Sequence, residues 1–143
     1  MRYVQIDSQS DPEHDDVTPS TPRQHEMARY LGEELTSLGC TDVTVDEHAY
    51  VTGTFPASPD AQSAPALMLC SHLDSVIDAP AAGIKPHIVH YEGGNLVAGV
   101  VAGEKIETTS EQVPDLEKFV GMDIVCSDGT TLLSADDKAG VAE

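Results

Sequence analysis

The sequence contains no tryptophan and only two phenylalanines, and it carries seven basic residues against 25 acidic ones. Its net charge of −18 argues against nucleic acid and anionic membranes as partners, because both are polyanions. No hydrophobic run reaches the length of a membrane-spanning helix, and the first residues do not form the apolar region of a signal peptide. We therefore expect a cytoplasmic protein that binds neither nucleic acid nor membrane.

Cysteine is also scarce, and several catalytic signatures are missing. The three cysteines are odd in number and form no C-x-x-C pair, which argues against a disulfide framework. The chain has no Gly-x-Gly-x-x-Gly, no phosphate loop, no His-Glu-x-x-His and no Gly-x-Ser-x-Gly. With 40% hydrophobic and 22% charged residues the composition is that of a globular protein, so any chemistry must come from a different pattern.

Helix and turn signals divide the chain into alternating elements. Thr21 as N-cap, Pro22 at the first helical position and Gln24 at capping-box spacing predict a helix start, and Gly39 predicts its end. Residues 41–55 read as a hairpin, and two more hairpins are predicted over 87–101 and over 124–133. A short helical turn is expected at 114–119, and a helix is expected to begin at Asp137.

The apolar run Leu67-Met68-Leu69-Cys70 stops abruptly at polar residues. Its length and flanking turn residues predict a buried strand of an α/β sheet, and the chemistry of such sheets lies beyond the strand ends. His72 and Asp74 stand there two residues apart, so an extended backbone directs both side chains to one side. The pair suits a metal-bound imidazole oriented by a carboxylate. A solvated strand end with a loop-capping aspartate is the alternative.

A second acidic pair follows another apolar run near the end of the chain. Asp136 and Asp137 come directly after Leu132-Leu133-Ser134-Ala135, at a predicted helix start. Two acids at that position are also common as helix caps. As oxygen ligands, however, carboxylates can bridge two cations. Together, the two clusters favour a metal site.

Both motifs resemble those of the aminoacylase/carboxypeptidase-G-like family of dizinc metallopeptidases. They are Ser71-His72-Leu73-Asp74 and the run Asp128-Gly129-Thr130-Thr131-Leu132-Leu133-Ser134-Ala135-Asp136-Asp137-Lys138-Ala139-Gly140. Residues 85–89 and 92–96 are similar to the tripeptide aminopeptidase branch. The resemblance begins at Gln5 and covers nearly the whole chain. It implies an α/β catalytic domain, with a mixed sheet flanked by helices, and two zinc ions per active site.

The resemblance also implies roles for individual residues. His72 would bind one zinc, Asp136 would bridge both, and Asp74 would be the active-site carboxylate that holds the His72 ring. Asp137 receives no ligand role. The expected activity is zinc-dependent release of the N-terminal residue from tripeptides. A small peptide is then the substrate, and the complete enzyme could form a homodimer.

The chain departs from the family pattern in what it does not contain. The Glu-Glu pair that supplies the general base and a further ligand is absent, as are the later aspartate and histidine ligands and the lid or dimerisation domain. We therefore expect residues 1–143 to be the N-terminal part of the catalytic domain, beginning within its first helix, and to be inactive alone. Two alternatives stay open: a dipeptidase or deacylase of the same superfamily, and a catalytically dead metal-binding or interaction module.

Overall fold

The computed structural model describes residues 1–131 and 133–143, apart from the side chain of Asp136. It contains three α-helices and six strands within those residues: α1 Arg2–Gln5, α2 Gln24–Ser37, β1 Thr41–Val45, β2 Val51–Thr54, β3 His87–His90, β4 Leu96–Val101, β5 Glu104–Thr108, β6 Asp123–Cys126 and α3 Ala135–Ala142. Short 3-10 helices occupy Pro12–His14 and Pro114–Phe119, the second of them at the predicted helical turn. The α/β class is confirmed.

The described strands pair as three two-stranded antiparallel sheets, β1 with β2, β3 with β6 and β4 with β5. They do not form the single mixed sheet that the resemblance implies. The chain divides into two compact units. The first contains Met1–Ile6 and Ile77–Ala135, and the second contains Asp7–Val76 and Asp136–Glu143.

In the second unit, α2 packs on the hairpin of β1 and β2. Met27 and Ala28 of α2 are fully buried. Gly32 lets the helix approach the hairpin closely, because a Cβ there would lie 2.7 Å from a methyl of Val45. The helix and the 41–55 hairpin are thus confirmed, and Gly39, at φ +92°, follows the helix end.

The start of α2 differs from the prediction in its cap. The Thr21 hydroxyl does not cap the helix but donates a hydrogen bond of 2.7 Å to the carbonyl of Gln9. The Thr21 carbonyl instead accepts from the amide of Gln24 at 3.3 Å, so a turn precedes the helix. The cap prediction was wrong because the helix begins at Gln24 and Arg23 occupies the cap position, so Thr21 lies before the cap and its side chain is directed toward Gln9.

In the first unit, the predicted 87–101 hairpin is wrong, and the first arm of the predicted 124–133 hairpin pairs with β3, while Leu132 of its second arm lies outside the described residues. β3 pairs with β6 in the register His87 to Cys126 and His90 to Asp123. The pairing of β3 with β6 continues beyond the strands. The amide of Tyr91, directly after β3, donates a hydrogen bond of 2.9 Å to the carbonyl of Met122, directly before β6. Both predictions joined neighbouring strands, whereas here the partner of β3 lies more than 30 residues away in sequence.

β4 forms its hairpin with β5, a strand that the polar sequence Glu104–Thr108 did not reveal. Ala102 and Gly103 connect the two strands with φ values of +53° and +88°, the positive values that a type I′ turn requires. Four buried residues form the main core of this unit: Tyr91, Leu96, Leu116 and Cys126. None of the helices in the described part of the chain is both long and apolar enough to cross a membrane.

Candidate active site

The segment that carries His72 and Asp74 is extended but is not a strand. The side chains of Leu67, Met68 and Leu69 are 84–85% exposed, so the predicted buried strand is wrong. A strand needs a hydrogen-bonded neighbour, and within the described residues this segment forms just one parallel bridge, between Gln9 and Ser75 at its end. Hydrophobicity identified the run, but pairing decides whether a run becomes a strand.

His72 and Asp74 nevertheless form the expected pair. Nδ1 of His72 lies 2.9 Å from Oδ1 of Asp74, and both side chains are substantially exposed. An ionised carboxylate only accepts hydrogen bonds, so in the neutral ring the proton resides on Nδ1. The lone pair of Nε2 is then available to a metal ion, which is the arrangement that carboxylate partners impose on metal-binding histidines.

Helix α3 contacts the segment next to this pair. Gly140 packs directly against the side chain of Ser71, and the Lys138 ammonium donates a hydrogen bond of 3.3 Å to the carbonyl of Leu73. The two neighbours of His72 in sequence, Ser71 and Leu73, therefore both contact α3, the helix that contains Asp136. The side chain of Asp136 itself, the predicted bridging ligand, lies outside the described residues.

Lys138 was not singled out from the sequence, yet among the charged side chains that the structure describes near this site it is the most buried. Its side chain is 3% exposed. It contacts the hydroxyl of Ser8, which in turn donates to the Leu73 carbonyl at 2.7 Å. Burial lowers the pKa of Lys138, and the carboxylates of Asp137, Asp7 and Asp74 oppose that change. In the sequence, the position of Lys138 two residues after Asp136 was the signal that could have indicated a role at this site.

The metal-binding potential of the described residues is limited. No group of three or more His, Cys, Asp and Glu side chains within them is arranged to hold a metal ion. Zinc sites normally use three or four protein ligands. The imidazole of His72 is suited to be one zinc ligand, so the described residues supply part of a zinc site.

Three other histidines, His14, His48 and His90, are exposed and have partners outside the His72–Asp74 site. His14 pairs with Asp11 at 2.9 Å in the polar loop, and His90 pairs with Asp123 at 2.8 Å across β3 and β6. His48 lies in the turn between β1 and β2, and its Nδ1 is 3.0 Å from the Thr18 carbonyl oxygen. These contacts account for the three rings without a metal.

Comparison with known proteins finds relatives among the peptidases, although no protein-family model matches the chain. The relatives are named peptidase T. The chain is 41% identical to peptidase T of Geobacillus thermodenitrificans, with 99% of this chain and 34% of the relative covered. The peptidase T of Aliivibrio fischeri is also 41% identical, with 100% and 34% covered, and that of Bacillus cereus is 42% identical, with 99% and 34% covered.

The chain is thus similar to peptidase T along essentially its whole length, which confirms the resemblance drawn from the two motifs. It spans about a third of the length of these curated relatives.

Proposed function

We propose that this chain contributes part of the active site of a zinc-dependent aminopeptidase, which removes the N-terminal residue from tripeptides in the cytoplasm. The observation that carries the proposal is the hydrogen-bonded His72–Asp74 pair, in a chain about 40% identical to proteins named peptidase T. Its substrate is a small peptide.

In this proposal, His72 binds zinc through Nε2 and Asp136 supplies a carboxylate ligand. Zinc at such a site provides Lewis-acid chemistry, which polarises a peptide carbonyl and acidifies water. Asp74 keeps the proton on Nδ1, so that the His72 ring presents an unprotonated Nε2. The negative charge of Asp74 also makes Nε2 a stronger electron-pair donor to the metal. The described residues contain no group of three or more ligands, so this chain accounts for part of such a site.

The direct test uses the natural protein that carries this chain. Purified protein is treated with a chelator, reloaded with zinc, and assayed on a tripeptide, a dipeptide and an N-acylated amino acid. We expect tripeptide hydrolysis that disappears with the metal and returns with zinc. Preferential hydrolysis of the dipeptide or the acylated substrate would replace the proposal with another dizinc amidohydrolase. Zinc binding without hydrolysis of any substrate would indicate a catalytically dead metal-binding module.

A further inference from the structure

Leu73 lies between the proposed zinc ligand and its carboxylate partner, and its carbonyl oxygen accepts two hydrogen bonds. The hydroxyl of Ser8 donates to it at 2.7 Å, and the ammonium of Lys138 donates to it at 3.3 Å. The same ammonium also donates to the Ser8 hydroxyl. Three segments that are far apart in sequence therefore meet at one backbone oxygen within the second unit.

The neighbouring backbone is held in the same way. The amide of Ser75 donates to the Ser8 carbonyl at 3.2 Å, and the amide of Ser10 donates to the Ser75 carbonyl at 3.3 Å. Ser8 and Ser75 are almost completely buried, at 0% and 2% exposure. Residues 8–10 thus hold the C-terminal side of the His72–Asp74 segment, and Lys138 ties the segment to α3.

We propose that Lys138 is a positioning residue of the active site, which fixes the backbone between His72 and Asp74 relative to the first turn of α3. The inference rests on the proposed function, because it assigns Lys138 to the same site. A buried ammonium is costly to desolvate, so its hydrogen bonds to Ser8 and Leu73 are what make the burial tolerable. Without them, the His72–Asp74 segment would be held from one side only.

The test measures the His72 ring directly. In the natural protein labelled with 15N-histidine, the imidazole nitrogens of His72 are assigned with a His72→Gln variant and recorded at pH 8 without metal. We expect a single tautomer with the proton on Nδ1 in the parent protein. In Lys138→Met we expect a mixture of tautomers, because the hydrogen bond to Asp74 is no longer held in place. The His90 ring, paired with Asp123, should not change and serves as an internal reference.

Activity gives the second measurement. With zinc bound, Lys138→Met should lower kcat on a tripeptide by roughly 10–100-fold and change KM little, as expected for a residue that orients a metal-binding group. The control is Lys118→Met, which removes an exposed lysine paired with Asp115. Ser8→Ala tests the same contact without deleting a charge, and Ser37→Ala is its control, since Ser37 also donates to a backbone carbonyl.

The outcomes separate the inference from the proposed function. If Lys138→Met and Ser8→Ala fold and leave the His72 nitrogen signals unchanged, the positioning role is wrong. If Lys138→Met does not fold, Ser8→Ala alone decides. If the parent protein hydrolyses no tripeptide while the His72 signals still respond to both variants, the proposed function fails and the positioning of His72 by Lys138 stands.

Discussion

At the scale of residues, the His72–Asp74 pair is the feature with the clearest chemical meaning. Its hydrogen bond assigns the ring proton to Nδ1 and leaves Nε2 for a ligand. The structure also contains a second pair with the same chemistry, His90 and Asp123, at a similar distance of 2.8 Å. One pair lies beside α3 and the other lies on a small sheet, so their surroundings, rather than their geometry, distinguish them.

This duplication allows a matched comparison in the natural protein. Asp74→Asn should keep zinc but lower tripeptide turnover by roughly 10–100-fold, because the amide holds the ring without supplying the negative charge. Asp123→Asn, the same change in the second pair, should have no effect.

The roles of His72, Asp136 and Asp137 are separated by three further variants. His72→Ala and Asp136→Ala should lose both activity and zinc, and Asp137→Asn should change the zinc content least. Elemental analysis beside turnover measures all five variants. Loss of metal in Asp137→Asn but not in Asp136→Ala would reverse the two assignments.

Asp128 provides a residue-scale prediction about pH. The Thr130 hydroxyl, the Thr130 amide and the Lys85 ammonium hold the pKa of Asp128 well below its usual range. A depressed pKa in the folded state means that the carboxylate stabilises the fold above the unfolded-state pKa, near 3.9, and that this stabilisation is lost as the pH falls below it.

Asp128→Asn should therefore lower the melting temperature at pH 7, and the difference from the parent protein should shrink progressively as the pH falls below about 4 toward the depressed pKa of Asp128 in the folded state. Thermal unfolding at several pH values checks this. Asp115→Asn, in an exposed pair with Lys118, is the control. A difference between Asp128→Asn and the parent that stays constant with pH would contradict the assignment.

At the scale of elements, the β4–β5 hairpin contains an unfavourable residue. Ala102 is held at φ +53°, where an L-residue other than glycine, asparagine or aspartate is strained by roughly 1 kcal/mol or more. Asparagine is favoured at this position of a type I′ turn. We expect Ala102→Asn to stabilise the protein by about 0.5–1 kcal/mol.

Urea denaturation of the natural protein measures this gain. Ala57→Asn, in the exposed loop after β2, is the control and should change the unfolding free energy little. No gain in Ala102→Asn, or an equal gain in both variants, would show that the turn is not under strain.

Elements with local signals could be predicted from the sequence, and elements that depend on distant partners could not. Helix α2 follows from the spacing of Met27 and Leu31, and the β1–β2 hairpin from its alternating residues. The pairing of β3 with β6 and the exposure of Leu67–Leu69 depend on which segments meet in space. The position of His72 beside Asp74 was predictable because two-residue spacing sets it. Lys138 was not, because its contacts with Ser8 and Leu73 span 130 and 65 residues.

At the scale of the whole molecule, the described residues supply too few ligands for a closed zinc site. We therefore expect a protein consisting of residues 1–143 alone to hydrolyse no tripeptide and to bind zinc weakly at best. Calorimetric zinc titration beside a tripeptide assay checks both statements. The same chain with His72→Ala shows whether any residual zinc binding involves His72. Robust hydrolysis by the 143 residues would mean that no outside Glu-Glu pair is needed.

Each compact unit is assembled from two stretches that are separated in sequence, Asp7–Val76 with Asp136–Glu143 and Met1–Ile6 with Ile77–Ala135. During synthesis the chain leaves the ribosome from its N-terminus, so Ser8 and Leu73 are exposed long before Lys138 is made. Closing such long loops costs entropy, and contacts between distant residues slow folding. Until α3 has been translated, the Leu73 carbonyl and the Ser8 hydroxyl lack the ammonium that contacts both, so the His72–Asp74 segment reaches its final position only after Lys138 has left the ribosome.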